Sequence, residues 1–111
     1  MEEIAFEVQG SAPTPYQVVF VKRSDSNLSA YCSCPAGENG QYCKHRFSII
    51  DGSTKGIISS NPEQVKTVQS WLPGTDISIA LNKMHQLEVE AAKIKKALSA
   101  AKKEVAKAMR D

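Results

Sequence analysis

The chain has no apolar run long enough to cross a membrane, and no stretch of signal-peptide character follows the acidic start Met1-Glu2-Glu3. An intracellular protein is therefore expected, cytoplasmic or, in a eukaryote, nuclear. Cysteine is scarce: three residues, an odd number that cannot all pair within one chain, which argues against a disulfide framework. There is no nucleophile–base–orienter set, no carboxylate pair and no phosphate-binding loop, so no enzyme is expected. Neither sign of charge dominates, since 14 basic against 12 acidic residues leave a net of only +2. Proline and glycine disappear after Gly74, so nothing breaks a helix from there to the end.

What the chain does have is concentrated. Cys32-Ser33-Cys34 and, eight residues later, Cys43-Lys44-His45 hold all three cysteines and one of the two histidines. Three thiolates and one imidazole form a complete tetrahedral set for Zn²⁺ with no position left for a reacting water, so the ion is expected to be structural. The intervening Pro35 to Tyr42 contains one proline and two glycines, which suits a tight turn between the ligand pairs.

Cys-x-Cys, a short turn-rich loop and Cys-x-His, with Pro35 after the second cysteine and Lys44 inside the second pair, resembles the SWIM zinc-binding family over roughly Tyr16 to Gly52. The resemblance implies Cys32, Cys34, Cys43 and His45 as zinc ligands and a module that binds DNA or protein. CDGSH-type iron–sulfur proteins also combine three cysteines with one histidine. There, three residues separate the last cysteine from the histidine, whereas only Lys44 does so here.

The surrounding pattern predicts an α+β fold with a small zinc-stapled ββα head of two or three antiparallel strands plus a short helix. Ile4, Phe6 and Val8 alternate with polar residues as in a half-buried strand, and Gly10 to Pro15 breaks it. Tyr16 to Lys22 and Leu28 to Ser33 flank the turn cluster Ser24 to Asn27 as a hairpin, placing Leu28, Ala30, Cys32 and Cys34 on one face. A helix over Lys44 to Asp51 puts Cys43, Phe47 and Ile50 on one stripe, and Gly52 ends it. About 75 residues make up the compact part, a size at which one core yields only a few kcal/mol. Structural zinc adds on the order of 10 kcal/mol.

Three segments are expected: the head over residues 1–59, a connecting helix within 60–74 and a long helix over 75–111. Asn61-Pro62-Glu63 reads as a helix start and Pro73-Gly74 as its stop, with Val65, Val68 and Leu72 on one stripe and Trp71 as core. Beyond a cap at Thr75-Asp76, a helix of about 34 residues would span roughly 50 Å. Steps of three and four then give an unbroken apolar seam: Ile77, Ala80, Met84, Leu87, Ala91, Ile94, Leu98, Ala101, Val105 and Ala108. Four of these ten positions are alanine, so a partner could approach closely. In a parallel homodimer Lys83 would meet Glu88, and Glu90 would meet Lys95; antiparallel pairing and larger bundles remain open.

Charge is segregated. From Lys93 onward there are seven basic residues against two acidic ones, while residues 1–92 carry seven against ten. Lys96, Lys103 and Arg110 fall opposite the seam, with Lys93 and Lys107 beside them, and in a dimer the strip doubles. Beside the metal, Lys44 and Arg46, with Tyr31 and Tyr42 nearby, are the other candidate contacts. Two functions follow. One is a zinc module oligomerised through its helix, as a homodimer or another helical oligomer, and acting as an accessory factor on DNA or a DNA-associated protein. The other is a protein–protein adaptor that touches no nucleic acid.

Overall fold

The computed structural model describes residues 1–110, which fall into two compact units, Met1–Ser78 and a second that begins at Ile79. The first is α+β. Strands β1 (Glu2–Val8), β2 (Tyr16–Ser24) and β3 (Asn27–Cys32) form an antiparallel sheet in sequence order. The alternating pattern of β1 works as the pleat requires: Ile4, Phe6 and Val8 are buried while their neighbours are exposed. Ile4 lies opposite Phe20, Phe6 opposite Val18, and Val18 opposite Cys32, so one face carries both the apolar core and the first ligand. Phe6 and Phe20 meet edge to face with ring centroids 6.2 Å apart.

Four helices follow. Helix α1 (Pro35–Glu38) is a single turn directly after the first ligand pair, where the sequence predicts only a loop. Helix α2 (Lys44–Ile50) packs against β3 and against α3 (Val65–Trp71). Its buried stripe differs from the predicted one: Cys43, Ile49 and Ile50 are buried, whereas Phe47 is half-buried beneath Tyr42, ring centroids 4.4 Å apart. Gly52, at φ 94°, ends the helix in the left-handed region that glycine adopts without strain. Asn61 does not start α3; Pro62–Gln64 form a 3₁₀ turn first, and α-helix begins at Val65. Val65, Val68 and Trp71 then enter the core.

A further piece escaped the periodicity. Between α2 and the 3₁₀ turn the chain runs back along β1, where Gln9 N donates to Gly56 O, Ile58 N to Glu7 O and Glu7 N to Ser59 Oγ. The Asn61 side chain adds a bond to Ala5 O.

Helix α4 (Asp76–Arg110) has 35 residues. Its start is fastened to the first unit: Thr75 is fully buried, its hydroxyl donates to Leu72 O and accepts from Ser78 N, and Asp76 bonds the β2–β3 hairpin at Ser26 O and Leu28 N. No residue of α4 is buried.

Candidate metal centre

Three elements bring the four ligands together. Cys32 is the last residue of β3, pointing to the core face by strand alternation, and the chain is held there by Ser33, whose N–H and hydroxyl both bond Gln17. Cys34 caps α1, its sulfur accepting from Gly37 N at 3.3 Å. Cys43 occupies the cap position of α2 and His45 lies in that helix's first turn.

The donor atoms lie within 4.8 Å of one another. His45 Nδ1 stands 3.7 Å from Cys32 Sγ and 3.6 Å from Cys43 Sγ, and Cys34 Sγ is 3.4 Å from Cys43 Sγ. Zinc bonds of about 2.3 Å to sulfur and about 2.0 Å to nitrogen demand tetrahedral edges of roughly 3.6–3.8 Å. The three separations above, 3.4–3.7 Å, lie close to these edges, and Nδ1 is the histidine nitrogen that faces the thiols. All three cysteines are buried free thiols.

Their acidities are split. Burial pushes Cys32 up to about 12, a backbone N–H at Cys34 opposing and the neighbouring thiols adding. Burial also acts to raise Cys43, but the backbone N–H of Arg46, the other two thiols and His45 outweigh it and bring it to about 6. When bound, zinc supplies a cross-link among β3, α1 and α2 and no open coordination position.

Sequence reasoning missed Gly37. Its backbone φ is ordinary, but a methyl there would sit 2.5 Å from Cys32 O and 2.8 Å from Cys32 Cβ, so only glycine lets α1 close against the first ligand. No pattern in the sequence marks such an approach. Arg46 is placed differently from a free contact: its guanidinium donates to Ala30 O at 3.0 Å and Gln41 O at 2.7 Å, clasping β3 to the loop before α2. Lys44 beside it is exposed. Tyr31, adjacent to Cys32, faces the opposite side of the sheet, where its hydroxyl accepts from Arg23 and is held below the usual phenol range by that bond.

The predicted tail residues Lys93, Lys96, Lys103, Lys107 and Arg110 are all exposed on α4, as is His85. Along the seam Leu87, Ile94, Leu98 and Val105 are each more than half exposed, Ala91 and Ala101 are exposed, and Ile77 and Met84 are half-buried.

A Cys₃His set of three buried cysteines and a half-buried histidine, contributed by a strand end and two helix starts, has the donors of a closed, structural zinc finger. The family model of the SWIM zinc finger matches residues 6–46, a span that includes all four ligands, so this part of the head is similar to a SWIM zinc finger. No curated protein and no solved structure matches the chain.

Proposed function

We propose that the chain is a non-enzymatic zinc module that self-associates through α4 and serves as an accessory factor on DNA. The observation that carries this reading is the segregated charge: seven bases against two acids from Lys93 onward, on a helix whose other side is apolar. Lys103, Lys107 and Arg110 lie about one turn apart along one side of α4, where together they could meet phosphate oxygens. The exposure of Leu87, Ile94, Leu98 and Val105 supports a helical partner, which for a heptad seam with attractive Lys83–Glu88 and Glu90–Lys95 flanks is a second copy. The saturated donor set supports a non-catalytic metal, and the sequence reading favours the cytoplasm, or the nucleus in a eukaryote.

The test is fluorescence anisotropy of the zinc-loaded protein with labelled DNA across a salt series. Binding that weakens steeply with salt, and weakens further in a Lys96→Gln, Lys103→Gln, Lys107→Gln variant, is expected. No binding at low salt would leave the second reading, a protein–protein adaptor. That reading is favoured by the acidic balance of residues 1–78, which carry six bases against eight acids.

A further inference from the structure

Two depressions adjoin on the face of the head that carries His45, and they share Ser11, Lys44 and His45. One, of about 350 Å³, is basic: Lys44 and Lys55 line it together with Ser11, Ser48 and Ser53 and the apolar Val8 and Ile49. The other, of about 400 Å³, is lined by Tyr16, Tyr42, Pro35 and Ala36 and borders the ligands Cys34, Cys43 and His45. Among the described residues neither is lined by an Asp or Glu, although the head as a whole carries an acidic excess. Tyr42 is the aromatic that stands out here. One side of its ring rests on Phe47, yet the residue stays 67 % exposed, so the other side is free.

We infer that this face binds one unpaired nucleotide of single-stranded DNA, its base stacked on Tyr42 and its phosphate held between Lys44 and Lys55. The inference rests on the DNA-binding reading above and assigns a substrate class to the head. A flat apolar surface beside lysine ammonium groups complements the flat base and the anionic phosphate of a nucleotide, and it is how single strands are held without sequence reading. A duplex keeps its bases stacked inside and can offer this face only phosphates. Two neighbouring side chains are already committed: Tyr16 lies on the His45 ring with centroids 5.0 Å apart, and Arg46 donates to backbone oxygens. Tyr42, Lys44 and Lys55 are exposed and can meet a ligand.

The test uses the full zinc-loaded chain, a short oligo(dT) strand and a duplex of equal length at low salt. Tyr42→Leu, which keeps an apolar cover over Phe47, is expected to weaken oligo(dT) binding about fivefold or more while duplex binding and zinc content stay unchanged. Tyr42→Phe retains the ring and is expected to bind oligo(dT) as the parent does. Lys44→Glu with Lys55→Glu is expected to weaken oligo(dT) binding at least tenfold with zinc content intact. Unchanged oligo(dT) binding in Tyr42→Leu, or equal losses for strand and duplex, overturns the site while the DNA-binding reading stands. Failure of the parent protein to bind either DNA overturns both.

Discussion

Apolar side chains make up 29 of the 78 residues in 1–78 and 17 of the 33 from Ile79 on, and the two regions dispose of them in opposite ways. In the first unit Val18, Phe20 and Val68 are completely buried, long-range bonds such as Leu28 N to Asp76 Oδ1 close the structure, and four side chains converge on one metal site. In α4, 18 of 35 residues are apolar and none is buried. The head gathers a metal site, whereas the apolar side chains of the helix stay largely open to solvent. A small domain short of core can thus be finished by a metal, whereas a long amphipathic helix is finished only by another surface.

That contrast can be broken most violently at the metal. Chelation of zinc, or Cys43→Ser, is expected to unfold the head, a loss on the order of 10 kcal/mol, seen as a red shift of Trp71 emission. An unshifted Trp71 spectrum after verified zinc removal would show that the apolar core suffices alone. Next in size, Ile94→Lys with Leu98→Glu should abolish self-association through α4. Sedimentation would then give the monomer mass, and the melting of the helix would lose its dependence on concentration, with zinc content unaltered. A parent protein already monomeric at high concentration would refute the seam.

Smaller effects test the joints. Gly37→Ala forces a methyl into Cys32 and should cost about 1–3 kcal/mol, with faster zinc transfer to a chelator. A melting temperature and transfer rate equal to the parent's would mean that α1 can shift without disturbing the ligand. Thr75→Ala removes the buried cap of α4 and should cost about 1 kcal/mol, read as a shift in chemical denaturation midpoint.

Much of this was legible in the sequence, because the features that carry it are local. The Cys-x-Cys and Cys-x-His pairs announce the ligand set, the period-two alternation of Ile4, Phe6 and Val8 sets β1, and the absence of proline and glycine after Gly74 gives α4 its length. What stayed hidden depends on distant partners. The turn of α1 is closed by the Cys34 sulfur, the Gly56 to Ser59 segment takes its shape from β1, and the 3₁₀ turn before α3 follows Asn61 reaching back to Ala5. Arg46 reads as a free cation because sequence cannot show that the Ala30 and Gln41 carbonyls lie within its reach.

Those distant partners have a collective effect on the sheet. On β1 the outward backbone groups of Ala5, Glu7 and Gln9 are taken by Asn61, Ile58, Ser59 and Gly56; on β3 Leu28 N is taken by Asp76 and Ala30 O by Arg46. A three-stranded sheet ordinarily offers two sticky margins to any passing strand. Here both are capped at these positions. The head is thereby guarded against edge-to-edge polymerisation, and a ligand that docks on it is steered away from extending the sheet with a strand of its own and towards side-chain chemistry.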